Sequence, residues 1–175
     1  GQLRNEGVEC SIFLMHSGGG IISLKSAADF PVRLVESGPA GGAVFAAHIA
    51  ARYGLDKVLS FDMGGTTAKI CLINNQTPKT SRVFEVARTY RFKKGSGMPI
   101  SIPVIDMVEI GAGGGSLAHV DAMRQIRVGP ESAGSEPGPA CYNRGGERPA
   151  VTDADLVLGK LDPDNFAGGT IKLDS

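Results

Sequence analysis

The sequence has no net charge, no long apolar run and no two cysteines close together in a C-x-x-C motif. Lys and Arg together number 18, and Asp and Glu together number 18, so the formal charge is zero. This balance argues against nucleic acid as a partner, because such a partner calls for a concentrated basic surface. No run of about 18 or more apolar residues occurs, so we expect no membrane span.

The amino-terminal segment and the cysteines point to one cellular compartment. Residues 1–6 lack the apolar core of a secretory signal. Cys10, Cys71 and Cys141 stand far apart in the sequence and are odd in number. They match neither a disulfide framework nor a zinc site. We therefore expect a cytoplasmic protein, and the length of 175 residues predicts a single domain over 1–175.

Glycine is the abundant residue, with 25 among 175 positions, about twice its usual share of ~7%. The glycines cluster between apolar segments, at 18–20, 38–42, 64–65, 111–115 and 145–146. This pattern is typical of glycine loops on a rigid scaffold, where backbone must approach something closely.

Apolar periodicity predicts an α/β fold in which a mixed sheet is flanked by helices. One helix is expected between Ser37, which can cap it, and Gly54, which closes it. Another is expected over 152–160 with Thr152 as a capping residue. The predicted strands cover 11–15, 32–35, 57–61, 66–73, 81–92, 117–120 and 125–128.

The segment after the third of these strands predicts a phosphate-binding hairpin. Asp62 ends the strand, and Gly64, Gly65, Thr66 and Thr67 follow almost at once. Glycines permit a tight turn whose backbone N–H groups face an anion, and the threonine hydroxyls can donate to phosphate oxygens. Asp62 would repel a phosphate, so we assign it to Mg²⁺, directly or through water, or to an attacking water. An ordinary hairpin with Asp and Gly in its turn is the alternative.

A second glycine loop, 111–116, is the other candidate for ligand contact. Its residues Gly113, Gly114, Gly115 and Ser116 could pass beside a ribose, a phosphate or a substrate, or could simply let two sheets approach. Asp106 lies just before this loop and could share a metal or a water with the hairpin carboxylate, or be a solvated loop carboxylate.

Two residues near the carboxyl-terminal end have simpler interpretations. Cys141 could be a nucleophile or a small buried side chain, and no histidine lies near it in the sequence. Asp153 is expected to cap the helix predicted over 152–160.

Several motifs occur here in a single order, and together they resemble those of the hydantoinase A/5-oxoprolinase family over residues 31–170. Residues 36–73 also resemble the ATPase superfamily of actin, hexokinase and the heat-shock chaperones. The motifs are Ser-Gly-Pro-Ala-Gly-Gly at 37–42, Phe-Asp-Met-Gly-Gly-Thr-Thr at 61–67, Ile-Gly-Ala-Gly-Gly-Gly-Ser at 110–116, Arg-Val-Gly-Pro-Glu-Ser-Ala-Gly at 127–134, Pro-Gly-Pro-Ala-Cys-Tyr at 137–142, Arg-Gly-Gly at 144–146 and Val-Thr-Asp-Ala-Asp-Leu-Val-Leu-Gly at 151–159.

This resemblance implies a partial ribonuclease-H-like (actin-like ATPase) lobe and an activity. In the family, ATP phosphorylates an amide oxygen of hydantoin, N-methylhydantoin or 5-oxoproline, so that water can open the ring. The implied ligands are ATP, Mg²⁺ and a cyclic amide, and the implied partner is a hydantoinase B-type subunit or domain. Related members are subunits of acetone-type and acetophenone-type carboxylases, which is the alternative function. A nucleotide-responsive binding module without amide chemistry is a third reading.

The sequence departs from the family pattern at two positions and contains one phosphate hairpin where the fold uses two. Val108 stands where many members have His, and Lys69 stands where many have Asp. The first departure removes a potential metal ligand, and the second removes a carboxylate. We expect the chain to be an excised central fragment that binds nucleotide weakly when alone.

Overall fold

The computed structural model describes residues 2–86 and 95–174, which form two compact units. The first unit is built from the residues up to Ser60 together with Cys71–Met107. The second is built from Phe61–Ile70 and the residues from Val108 onward. The final part of the strand predicted over 81–92 lies outside the described residues.

The first unit is organised around one long helix. Helix α3 spans Ser37–Tyr53 and follows short helices α1 (Gln2–Asn5) and α2 (Leu24–Asp29). Its carboxyl end is closed as predicted, because Gly54 adopts a left-handed conformation at φ 64°. Its other end differs from the prediction, since Glu36 is the N-cap and Ser37 is already helical.

The core of this unit forms where α3 presents its smallest side chains. Ala40, Ala43 and Ala47 are buried and pack with Cys71 and Ile73. Because alanine side chains are short, the strand side chains approach the helix backbone closely. Short antiparallel pairs complete the unit: β1 (Phe13–Met15) with β2 (Ile21–Ser23), β6 (Thr80–Ser81) with β9 (Val104–Ile105), and β7 (Phe84–Val86) with β8 (Met98–Ile100).

Two longer strands carry the chain from the first unit into the second and back. Strand β3 spans Lys57–Met63 and β4 spans Ala68–Asn74. They are neighbours in a four-stranded sheet. Strand β10 (Val108–Ile110) pairs with the first residues of β4, and β5 (Thr77–Pro78) pairs with the last residues of β4. The predicted hairpin is therefore confirmed, and its turn lies in the second unit.

The second unit contains a hairpin, a short helix and a small core. Strands β11 (Ser116–Val120) and β12 (Ile126–Ser132) pair antiparallel, as predicted, and α4 spans Val151–Val157. The core is formed by buried Cys141, Leu156 and Leu173 with half-buried aromatic and aliphatic neighbours.

The α/β class is confirmed, but the described strands form several small sheets instead of one mixed sheet. The strand predicted over 32–35 is wrong, because Pro31–Leu34 form a 3₁₀ helix. Proline at the start of the turn fixes φ near the helical value, and this local constraint outweighs the β-propensity of the valines. No helix within residues 2–86 and 95–174 combines the length and apolar content of a bilayer span.

We predict that Ile73→Ala lowers the free energy of unfolding by about 2–5 kcal/mol, because it leaves a cavity in the α3 core. Ile73 is 1% exposed, whereas its neighbour Leu72 points the other way and is 52% exposed. Leu72→Ala is therefore the matched control, with an expected change within about 0.5 kcal/mol. Chemical denaturation measures both, and equal losses would contradict the described packing.

Candidate functional site

The turn between β3 and β4 lies on the protein surface and is rich in backbone donors. The N–H of Gly64 donates to the carbonyl of Thr67 at 2.9 Å, which closes the turn. Gly64, Gly65 and Thr66 are all exposed. In the part of the chain that the structure describes, the amides of Gly65 and Thr66 have no hydrogen-bond partner. Two such amides, side by side on a glycine turn, are suited to binding an anion.

The glycine loop 111–116 packs directly against this turn, within the same unit. The N–H of Gly114 donates to the carbonyl of Gly64 at 2.9 Å, and that of Gly115 donates to the carbonyl of Gly65 at 2.8 Å. A Cβ atom on Gly113 would lie 2.6 Å from both the Gly64 oxygen and a backbone nitrogen of the turn. Only glycine allows two backbones to come this close.

The polar groups of this loop are used inside the protein. The N–H of Gly113 donates to the Ser116 hydroxyl at 2.9 Å, and Ser116 is 2% exposed. The amides of all three glycines are thus engaged with protein atoms. Nucleotide contact by Gly113, Gly114, Gly115 and Ser116 stays a prediction, while the geometry makes them the support on which the turn rests.

The two candidate carboxylates lie in different compact units. Asp62 is exposed near the end of β3, in the second unit with the turn. Asp106 belongs to the first unit, where its carboxylate lies 2.8 Å from the Lys79 ammonium. The hydrogen bond and the charge of Asp106 raise the pKa of Lys79. A role for Asp106 in catalysis stays a prediction.

The two positions that depart from the family pattern belong to one pair of strands. Strand β10 places Val108 opposite Ile70 and Glu109 opposite Lys69. Lys69 thus stands across from an acidic residue, a favourable cross-strand arrangement. Within the described residues, no group of three or more His, Cys, Asp or Glu side chains is arranged to hold a metal ion.

Asp153 organises the backbone around the start of α4. Its carboxylate accepts hydrogen bonds from the N–H groups of Ala150 (2.6 Å), Cys141 (2.7 Å) and Ala140 (3.3 Å). Burial acts to raise the pKa of Asp153, but these hydrogen bonds and that of the Cys141 side chain outweigh it, so the pKa is lowered. The predicted capping role is confirmed, and the same carboxylate also fastens the segment around Cys141.

Cys141 has the environment of a structural thiol. It is 5% exposed, and burial followed by the nearby Asp153 carboxylate raises its pKa to about 12. A thiol with this pKa stays protonated at neutral pH, so it is a poor nucleophile. Cys141 and Asp153 also line a shallow cavity of about 360 Å³, and the lining of this cavity includes no residue of the turn or the glycine loop.

Sequence reasoning missed the contact made by Thr152. We predicted a helix cap, but Ala150 is the N-cap, and the Thr152 hydroxyl donates to the carbonyl of Gly114 at 2.8 Å. The partners are 38 residues apart, so no local pattern could indicate the pairing.

The fold and the site define a mixed α/β protein with a glycine turn, supported by a glycine loop, whose Gly65 and Thr66 amides have no partner within residues 2–86 and 95–174. A family model described as hydantoinase/oxoprolinase matches residues 1–175, so the chain belongs to the hydantoinase/oxoprolinase family. This confirms the resemblance seen in the sequence motifs.

Curated relatives are similar over nearly the whole chain. An uncharacterized protein of Methanocaldococcus jannaschii is 44% identical over 98% of this chain and 25% of its own length. The caprolactamase subunit alpha of Pseudomonas jessenii is 39% identical over 90% of this chain and 21% of its own. The acetophenone carboxylase gamma subunit of Aromatoleum aromaticum is 35% identical over 99% of this chain and 22% of its own length. The chain therefore spans a quarter or less of each relative.

Solved structures agree with this assignment. A nucleotide-free acetone carboxylase, described as carrying out ATP-dependent acetone carboxylation, matches with a TM-score of 0.72 and 31% identity, over 99% of this chain and 23% of its own. An ATP-dependent caprolactamase from Pseudomonas jessenii matches with a TM-score of 0.65 and 34% identity, over 99% of this chain and 24% of its own.

We predict that Gly113→Ala destabilises the protein by about 1–3 kcal/mol, because the added methyl group overlaps backbone atoms of the turn that cannot move aside freely. Gly65→Ala is the matched control, since a Cβ there meets nothing within 4 Å. Thermal unfolding of both variants provides the test. A Gly113→Ala protein as stable as the wild type would show that the loop and the turn are not in close contact.

Proposed function

We propose that this chain is the phosphate-binding part of an ATP-dependent hydrolase that opens cyclic amides such as hydantoin, N-methylhydantoin or 5-oxoproline. The observation that carries the proposal is the exposed turn, whose Gly65 and Thr66 amides are unpaired among the described residues. Membership of the hydantoinase/oxoprolinase family supports the reaction class.

The turn suits a phosphate group of ATP. Adjacent N–H groups can each donate to a phosphate oxygen, and the exposed Thr66 and half-buried Thr67 add hydroxyl donors beside them. Asp62 lies on β3, the strand that leads into the turn, and is exposed. Mg²⁺ commonly uses one or two carboxylates together with waters and substrate phosphates. One exposed carboxylate next to a phosphate site fits that mode of binding.

Bound ATP would supply a phosphoryl group to the amide oxygen of the ring. The new oxygen–phosphorus bond forms as the bond to the β,γ-bridging oxygen breaks and ADP leaves. Phosphorylation would make the ring carbon more electrophilic, so that water could attack it. The ring C–N bond would then break as the nitrogen takes up a proton, and hydrolysis of the resulting acyl phosphate would release inorganic phosphate and the ring-opened acid. The residues of this chain contribute positioning and charge neutralisation, which dominate catalysis of phosphoryl transfer. Asp62 would orient the metal or the attacking water.

The order of elements supports an actin-like ATPase lobe for this region. Helix α3, strand β3, the glycine turn and strand β4 follow one another as in the superfamily that residues 36–73 resemble. A second, hydantoinase B-type subunit or domain is the expected partner. The caprolactamase and acetophenone carboxylase relatives, each named as a subunit, support it. A cytoplasmic location stays our prediction.

An ATP-dependent carboxylase subunit is the second candidate function. The TM-score of 0.72 to acetone carboxylase and the 35% identity to the acetophenone carboxylase gamma subunit favour it. The turn would serve both reactions, because each begins with a phosphoryl group that must be bound and neutralised.

We predict that the full-length protein couples ATP cleavage to opening of one compound in a panel of hydantoins, 5-oxoproline and lactams. Asp62→Asn should lower this turnover by roughly 10²-fold or more, since it removes the carboxylate that orients the metal or water. Asp164→Asn, at an exposed carboxylate of the same unit, should leave turnover unchanged. Release of ADP and ring-opened product measures both.

Two other outcomes would contradict the hydrolase. Carboxylation of a ketone with bicarbonate, in place of ring opening, would establish the second candidate. Binding of ATP without turnover of any cyclic amide or ketone would indicate a nucleotide-responsive binding module.

A further inference from the structure

Thr152 holds one carbonyl of the glycine loop with two donors. Its backbone N–H and its hydroxyl each lie 2.8 Å from the oxygen of Gly114. Thr152 is 6% exposed, so this contact is shielded from water. A carbonyl oxygen has two lone pairs, and both are used here by a single residue.

This carbonyl is part of a chain of peptide groups that ends at the turn. The oxygen of Gly114 and the N–H of Gly115 belong to the same peptide group, and that N–H donates to the oxygen of Gly65 at 2.8 Å. The oxygen of Gly65 belongs in turn to the peptide group that carries the N–H of Thr66. Two donors on Thr152 are thus linked through two peptide groups to an amide that is unpaired in the described part of the chain.

A peptide group that accepts a hydrogen bond at its oxygen becomes a stronger donor at its nitrogen, by roughly 10–30% per bond. We propose that Thr152 is a positioning residue for the phosphate site: it orients and polarises the Thr66 N–H through the peptide groups of the glycine loop. The ligand class is a phosphate group of a nucleoside triphosphate. The inference rests on the proposed function and adds a residue from α4 to the site.

The arrangement separates the hydroxyl's contribution from simple packing. Removing the hydroxyl leaves the Gly114 oxygen paired with the Thr152 N–H, so no buried carbonyl loses its last partner. The cost to folding is therefore small, while one of the two polarising bonds disappears. Valine is close to threonine in shape and removes the hydroxyl, together with its interaction with the Tyr142 side chain.

The test uses the full-length protein and the non-hydrolysable analogue AMP-PNP with Mg²⁺. Thr152→Val should weaken binding by about 2- to 4-fold, because a donor weakened by up to about 30% loses part of one charge-assisted hydrogen bond. Thr152→Ser, which keeps the hydroxyl, should bind as tightly as the wild type. Thr170→Val is the matched control, because the Thr170 hydroxyl also donates to a backbone carbonyl (Ala167, 2.8 Å) but touches neither the loop nor the turn.

Hydrogen exchange at the Thr66 amide, measured without nucleotide, gives a second readout that does not depend on ATP. Thr152→Val should slow this base-catalysed exchange, because a less polarised N–H gives up its proton less readily, and Thr170→Val should leave it unchanged. Thr152→Ala serves as the second variant if valine disturbs folding, which thermal unfolding reports.

Each outcome has one meaning. Weaker AMP-PNP binding and slower exchange in Thr152→Val, both reversed in Thr152→Ser, support the inference. Unchanged binding in Thr152→Val, or equal weakening in Thr152→Ser, overturns it. A wild-type protein that does not bind AMP-PNP overturns the proposed function, and the exchange data then report separately whether Thr152 and the turn are coupled.

Discussion

The backbone hydrogen bonds between the glycine loop and the β3–β4 turn are the interaction on which the site depends. The N–H groups of Gly114 and Gly115 satisfy the turn's two carbonyls at 2.9 and 2.8 Å. The amides of Gly65 and Thr66 have no hydrogen-bond partner among the described residues, and both residues are exposed. A donor that is held in place before the ligand arrives loses little entropy on binding, which makes it effective for an anion. The close approach requires glycine, so the composition of the loop follows from its function as a support.

The surrounding polar residues extend this support and are not free for chemistry. Asp153 uses its carboxylate on three backbone N–H groups, and Thr152 uses its hydroxyl on Gly114. The Cys141 thiol is buried beside that carboxylate and protonated at neutral pH. The second unit therefore has a layered arrangement, in which α4 fixes the glycine loop and the glycine loop fixes the turn. Asp62 is an exposed carboxylate near the end of β3, and its action on a ligand stays our proposal.

The parts of this arrangement that are local in sequence could be predicted, and the parts that join distant segments could not. The β3–β4 hairpin and the Gly54 helix end follow from glycine chemistry and strand propensity, and both are confirmed. The glycines at 113–115 indicated close approach, but not that the partner is the turn itself. The strand predicted over 32–35 is wrong, because the geometry of Pro31 outweighs the β-propensity of the valines that follow. The Thr152 contact spans 38 residues, beyond what any local pattern reports.

The central claim is that the Gly65 and Thr66 amides of the turn bind phosphate. The most direct measurement is a crystal structure of the full-length protein with Mg²⁺ and a non-hydrolysable ATP analogue. We expect phosphate oxygens at about 3 Å from the nitrogens of Gly65 and Thr66, the normal hydrogen-bond distance, with the glycine-loop contacts unchanged. An analogue bound elsewhere, with these two amides facing only water, would contradict the account.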